Sequence, residues 1–576
     1  MLLVKGLGIS TGREMGKVQK LNDMKHELSN RKIQKSECKT EIQKINTAFV
    51  TAEKQLDRII RNENTAEESK EILEAHIEIL NDPALHKRVT ELIENDLYCC
   101  EDALLISTDE FAALLEKLDD EYMRERANDI RDIDKRIYKI LCGIEEDIDL
   151  SEEVIIVADD LTPSTLSALN RKYIKAIISG TGGQTSHIAI MANCMGIPAV
   201  AGLSDEIDKI SNHDIVIVNG KNGYVYIDPD EATKKEHIKA KIIEEAEAEK
   251  QKAFIGEKAI TKDKEREVEV CANIAFINEC DMAKEVGAEG VGLYRTEFLY
   301  MDNNTWPTEN QQFECYKKVA EAMAPWAVII RTMDIGGDKA LPYMEISNED
   351  NPFLGHRAIR LCLSRPEMFK TQIRALLRAS AYGKIRIMFP MVSCLQELNQ
   401  AKQYVEECKI ELTEEKIKFD DNIEVGIMVE VPSAALMADK LAPEVDFFSI
   451  GTNDLVQYTM AADRANQNVA YLYDCFQPAV LRLIKNTIDA AHANGIFTGM
   501  CGEMAGAADA TALLVGMGLD EFSMSSGSIL RFKSNMSQFT YSEAKELARR
   551  CLDCNSCDEV RQLIKGGEYN GKNEDE

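Results

Sequence analysis

Between Val268 and Met524 the chain carries eight strand-like runs separated by segments of helical character, and this rhythm constrains the fold more than any other feature. The runs are Val268–Ala272, Gly290–Leu293, Ala327–Ile330, Lys384–Met388, Val425–Val429, Phe447–Ile450, Phe497–Met500 and Glu521–Met524. Short runs alternating with helices read as βα units, and eight such units predict a (β/α)8 TIM-type barrel.

The residues just beyond these runs are the informative ones. Arg295, Arg331, Phe389-Pro390, Glu430, Asn453-Asp454 and Cys501 stand at the C-terminal ends, where this fold places its active site. Guanidinium groups bind phosphate or carboxylate through paired, charge-assisted hydrogen bonds, so converging arginines imply an anionic substrate. Glu430 and Asp454 end different strands, and two carboxylates beside such a substrate suit a magnesium ion. Together these features point to a phosphorylated acid. Any single arginine is also compatible with a rim salt bridge, and it is the number of such residues on one rim that favours a shared pocket.

The preceding half has a different texture. From about Asn22 to Gly143 it is charged, poor in glycine and apolar at helical spacing, with Leu73, Ile77 and Leu80 on one face and Asp82-Pro83 as an N-cap followed by proline. From Val154 to Asp228 short β-branched runs alternate with glycine turns, which predicts a compact α/β domain. The first twenty residues resemble the latter, so the reading is a domain of residues 1–21 and 144–229 with a helical insertion at 22–143. Residues 230–258, including the charged stretch Glu231 to Lys252, read as a linker helix and hinge, and 259–576 as the barrel.

Within the α/β domain lies Gly182-Gly183-Gln184-Thr185-Ser186-His187, followed by the apolar run Ile188 to Ala192. Paired glycines let the backbone approach an anion, and hydroxyl residues can cap a helix whose N-terminal amides face it. A phosphorylated imidazole would be stabilised there. A histidine near a helix start is commonly structural, and the adjacent glycines are what favour the chemical role.

Charge and cysteine usage narrow the partners. With 99 acidic against 68 basic residues and a formal net charge of −31, a nucleic-acid partner is disfavoured and a basic protein partner is favoured. No apolar run reaches membrane-spanning length and the start lacks a secretory pattern, so a cytoplasmic location is expected. The 16 cysteines read as reduced thiols. Cys551, Cys554 and Cys557 have metal-like spacing, but zinc and iron–sulfur sites of that type need a fourth ligand that the vicinity lacks.

Several longer stretches match a known pattern. Gly182 to Val200 resembles the phosphohistidine signature of the phosphoenolpyruvate-utilising enzymes. The barrel carries more of their signatures: Gly290 to Phe298, Arg331 to Lys339, Asn351 to Arg357, Gly426 to Glu430, Ser449 to Asp454 and Gly499 to Glu503. Order and spacing are similar to the enzyme I group of the phosphoenolpyruvate:sugar phosphotransferase system over essentially the whole chain. The helical insertion resembles that group's carrier-binding subdomain at Glu74-Ala75-His76-Ile77, Asn81-Asp82-Pro83 and Leu118-Asp119-Asp120-Glu121-Tyr122.

The resemblance implies roles residue by residue. Arg295, Arg331 and Arg464 would hold phosphoenolpyruvate with Asn453 and Asp454, Glu430 and Asp454 would bind Mg2+, His187 would accept the phosphoryl group and Cys501 would protonate the enolate to pyruvate. It further implies the phosphocarrier protein HPr as partner and a homodimer formed through the barrel. Gln184 and Asn193 replace arginines usual in the family, Leu166 replaces the threonine that orients the histidine ring, and His356 replaces tryptophan. A dikinase or synthase of the same family would need a large ATP-binding domain ahead of the histidine, for which the helical segment before residue 150 is too short. A non-catalytic protein that binds phosphoenolpyruvate or a carrier is the alternative from another class.

Overall fold

The computed structural model describes all residues except 11, 22–27, 61–72, 74–75, 78, 117–120, 144–149, 151, 160, 162–165, 167–168, 182–187, 189–191, 193–195, 302–304, 337–340, 342, 344–348, 465 and 567–576. The chain forms two compact units, Met1–Glu245 and Ala246–Glu576.

The first unit is built on a mixed sheet of strands β1 (Leu2–Lys5), β2 (Leu7–Ser10), β3 (Arg13–Lys20), β4 (Val154–Ala158), β5 (Ile174–Ser179), β6 (Ala199–Ala201), β7 (Ile215–Asn219) and β8 (Tyr224–Ile227). Their spatial order is β1-β8-β7-β3-β4-β5-β6-β2. Strand β3 pairs antiparallel with β7 and parallel with β4, so the first twenty residues sit inside the sheet. Alternate residues of β4 serve opposite faces: Ile156 and Ala158 join one apolar cluster with Ile177 and Ile188, while Ile155 and Val157 join another with Val200 and Val216. This two-sided burial explains the unbroken apolar runs.

Between β3 and β4 the chain leaves the sheet and forms helices Cys38–Ile60, Pro83–Glu94, Cys100–Glu116 and Glu121–Leu141. Their own core includes Ile45, Phe49, Leu56, Leu85, Leu92 and Ile137. Leu73 and Leu80 are buried in it with Ile77 packed alongside. Asp82 caps the second helix, its side chain accepting from the Ala84 N–H at 2.8 Å with Pro83 at the first helical position. Helix Glu231–Lys252 has the predicted bounds and crosses the division between the units. It is charged, yet it leaves Ile238, Ile242 and Ile243 exposed.

In the second unit a short strand β9 (Ala259–Ile260) pairs antiparallel with β10 (Glu267–Ile274). Strands β11 (Gly290–Tyr294), β12 (Ala327–Arg331), β13 (Ile385–Phe389), β14 (Glu424–Val429), β15 (Phe447–Ile450), β16 (Phe497–Met500) and β17 (Glu521–Met524) follow, all parallel to β10 and in sequence order. Pairing of β17 with β10 closes the barrel. All eight predicted runs are therefore barrel strands, with ends that differ by a residue or two. Leu293, Ile329, Met388, Met428, Phe447 and Cys501 fill the interior. Cys551 and Cys554 pack in the outer apolar core, and among the described residues neither they nor Cys557 belong to a cluster of ligand atoms.

Candidate active site at the barrel rim

Arg331 ends β12 and is turned into the protein, 7% exposed. Its Nη2 lies 2.9 Å from Glu297 Oε1 and its Nη1 3.1 Å from Asp334 Oδ2. Asp334 in turn meets Arg357, with Oδ1 2.8 Å from Nη2. The result is a buried row of alternating sign, Glu297, Arg331, Asp334 and Arg357. Ions taken out of water cost several kcal/mol each unless they are paired, and the alternation supplies the pairing. Burial opposes the charge on Arg331, but Glu297 and Asp334 outweigh it and hold its pKa above the ordinary arginine value. The Nε atoms of Arg331 and Arg357 and Oε2 of Glu297 are buried without a partner among the described residues. The row therefore retains unused donors.

Glu430 follows β14 and is 1% exposed, with Oε1 accepting from the Met391 backbone N–H at 2.6 Å. Asp454 lies in the first turn of helix Thr452–Met460, which begins after β15. Burial, then the charges of Asp454 and Asp334, push the Glu430 carboxyl up to about 8 against the pull of Arg331. Asp454 Oδ1 is itself buried without a hydrogen-bond partner. Two close carboxylates with an unmet acceptor fit a hard divalent cation, which would lower the cost of ionising both.

Cys501 follows β16, 4% exposed, with Sγ 3.9 Å from the Ile450 carbonyl oxygen. Burial pushes its thiol up to about 11, despite the lowering influence of Arg331 and Arg295. It stays protonated at neutral pH. Its carbonyl accepts from Asn273 Nδ2 at 3.0 Å, and no side chain fits at Gly502, where a Cβ would run into the Thr452 hydroxyl.

The remaining predicted residues ring this centre. Arg295 follows β11, is exposed, and makes no ion pair among the described residues. Asn453 and Glu503 are tied by two hydrogen bonds, Asn453 Nδ2 donating to Glu503 Oε1 at 3.3 Å and the Glu503 N–H donating to Asn453 Oδ1 at 3.2 Å. Arg464 is exposed, its guanidinium 5.9 Å from the Phe353 ring centre, and Arg357 lies 5.8 Å from the same ring. His356 donates its backbone N–H to the Glu349 carboxylate.

His187, Gln184 and Asn193 lie outside the described residues. Leu166, Ile188 and Ala192 are described and share one buried apolar cluster, so Leu166 fills the core of this domain. Sequence reasoning assigned no role to Glu297, Asp334 or Arg357, although all three stand inside the quoted motifs. The available signal was a carboxylate two or three residues beyond each strand-end arginine, Glu297 after Arg295 and Asp334 after Arg331.

Three family models cover most of the chain: "PEP-utilising enzyme, N-terminal" over residues 5–126, "PEP-utilising enzyme, mobile domain" over 150–223, and "PEP-utilising enzyme, PEP-binding domain" over 248–541. The chain belongs to the phosphoenolpyruvate-utilising enzymes. Within that family it is 45% identical over 569 residues to the phosphoenolpyruvate-protein phosphotransferase of Listeria innocua, covering 98% of each chain. It is equally 45% identical over 569 residues to that of Bacillus subtilis, covering 98% of this chain and 99% of the other. The corresponding protein of Mycoplasma capricolum is 44% identical over 567 residues, with 98% of both chains covered. The rim described above thus lies in the part that matches the family's phosphoenolpyruvate-binding domain.

Proposed function

We propose that the chain is a phosphoenolpyruvate-protein phosphotransferase that moves the phosphoryl group of phosphoenolpyruvate to His187 and then to the histidine of the phosphocarrier protein HPr, the first step of sugar uptake by the phosphotransferase system. The observation that carries this reading is the rim itself. A buried arginine row with unused donors, a carboxylate pair suited to a cation and a protonated thiol surround one centre. Full-length similarity to phosphotransferases supports catalysis over a binding-only role.

In the first step the bond between phosphorus and the enol oxygen breaks as one forms to a ring nitrogen of His187. Such transfer is loose and is promoted by positioning and charge neutralisation, which Arg295, Arg331 and Arg464 provide. Magnesium, when held by Glu430 and Asp454, supplies further neutralisation of the substrate oxygens. The enolate left behind takes a proton at its methylene carbon from Cys501 Sγ. A thiol held at about 11 is a competent donor and recovers its proton readily at neutral pH. Asn453, fixed by Glu503, orients the substrate. In the second step His187 hands the phosphoryl group to the carrier, for which the helical insertion at 22–143 is the docking element. His76 in that insertion is buried, with Nε2 3.3 Å from Asp129 and Nδ1 3.5 Å from Asp132. Homodimerisation through the barrel and a cytoplasmic location complete the reading; among the described residues no helix is long and apolar enough to cross a membrane.

Incubation with phosphoryl-labelled phosphoenolpyruvate and magnesium, without ATP, tests the proposal. Stoichiometric acid-labile label and pyruvate release are expected, with label lost in His187→Ala and passed to added HPr. Label retained by that variant, or none on the unaltered protein, would sink it.

A further inference from the structure

We infer that the N-terminal end of the barrel, opposite the rim, holds a second cation site formed by Glu269, Cys271 and Glu521, and that it takes a thiophilic divalent metal such as zinc. Barrel closure creates the cluster. Glu269 on β10 is the Cα partner of Glu521 on β17, and Cys271, two residues further along β10, points to the same side. One ligand atom from each of the three lies within 4.8 Å of the others. Tetrahedral zinc with bonds of about 2.0–2.3 Å holds its ligands roughly 3.5 Å apart, so small side-chain rotations complete the set.

The independent observation is Glu521. It is 1% exposed, and both of its carboxylate oxygens are buried without a hydrogen-bond partner among the described residues. Space has been made for it: a Cβ at Gly292 would strike its Oε1, and one at Gly499 would stand 3.0 Å from that atom. The adjoining strands thus leave the place of two side chains to an acid that has no hydrogen-bond partner among the described residues, which is a costly arrangement for a purely structural residue. The buried Arg386 acts on Glu521 electrostatically, but its Nε pairs with Glu424 and its guanidinium lies 4.8 Å from the Phe497 ring centre. Lys384 faces Glu269 from the same end, and Glu289 and Asp520 add negative charge to the cluster. Burial pushes Glu521 up to about 8 and raises Glu269 and Cys271 as well. Arg386 offsets part of this on all three and Lys384 part of it on Glu269, yet Glu521 keeps no hydrogen-bond partner of its own among the described residues.

The donor set selects the metal. Sulfur with two carboxylate oxygens suits zinc or cobalt, whereas magnesium demands oxygen ligands and keeps to the carboxylate pair at the rim. Binding displaces the Cys271 proton and any proton held by the two acids, and these leave to solvent. Glu269 is only half-buried and gives the route for entry and for a water as fourth ligand.

Cobalt titration of the reduced, full-length protein tests the assignment. About one cobalt per chain should give a thiolate-to-cobalt charge-transfer band, displaced by zinc but not by excess magnesium. The band should vanish in Cys271→Ser, persist in Cys501→Ala, and require at least about tenfold more cobalt in Glu521→Gln. No thiolate band on the unaltered protein overturns the proposal whatever the variants do. A band retained by Cys271→Ser overturns it equally, and Glu269 and Glu521 would then share a proton instead.

Discussion

The barrel buries an acid at each end, Glu430 at the C-terminal rim and Glu521 at the N-terminal end, and the surrounding protein pushes both up to about 8. Their neighbours differ. Glu430 has a backbone donor from Met391 and the guanidinium of Arg331 nearby, within a row that alternates in sign. Glu521 has a thiol, a second acid on the adjacent strand and no hydrogen bond among the described residues. At the rim, charge compensation is largely built in, and the proposed hard cation and anionic substrate would complete it. At the other end Arg386 supplies only part of it, and a proton or a softer cation would supply the rest. Burial alone thus does not distinguish a reaction centre from a binding site; the sign and softness of the neighbours do.

The sharpest division should be in turnover. Glu430→Ala or Asp454→Ala is expected to cut magnesium-dependent pyruvate release by about 10³-fold or more, while Glu521→Gln stays within about twofold. Equal losses from both ends would erase the distinction. Within the rim, Cys501→Ala should lower kcat for pyruvate formation by about 10²-fold with KM little changed, because the role proposed for the thiol is proton donation and not the phosphate clamp. An unchanged kcat would assign protonation to another group.

A smaller effect should appear in the metal's pH dependence. A proton competes with magnesium for Glu430 below about 8, so magnesium affinity should rise by about fivefold between pH 7 and 8 and level off above about pH 9. A flat profile across this range, read by calorimetry, would remove Glu430 from the metal site.

The smallest effect concerns stability. The folded-state pKa of Glu521 lies above its ordinary value of 4.5, so the folded protein retains a proton that the unfolded chain has lost. Its destabilising contribution is absent below about pH 4.5, grows as pH rises and is complete above about 8. In a chelator, Glu521→Gln should therefore raise Tm by a few degrees at pH 9 and hardly at all at pH 5. Zinc should close that gap for the unaltered protein.

Much of this was legible in the sequence because the determining signals were local. The eight barrel runs, the Asp82 cap and the helix from Glu231 to Lys252 each follow from residue spacing within a few turns or a single strand. The rim residues were legible too, since parallel strands of a barrel all deliver their C-terminal ends to one face. Leu166 was read as a departure near the histidine, and its burial with Ile188 and Ala192 shows it filling the core. Pairings across the fold could not be read in this way. The sequence placed Glu297, the pair Arg331 and Asp334, and Arg357 in three separate motifs, and folding made them one alternating row.

Glu269 and Glu521 belong to the first and last barrel strands, at opposite ends of the region, and no local pattern marks them as partners. Strand closure puts them side by side, and glycines on two further strands make room for the Glu521 carboxylate. What the sequence by itself determined was therefore the strand and helix rhythm, the barrel face on which the rim residues gather and the family. Which charges are compensated and which are left unmet was decided only by the tertiary structure, because compensation depends on distances between side chains far apart in the chain and on the water that packing excludes.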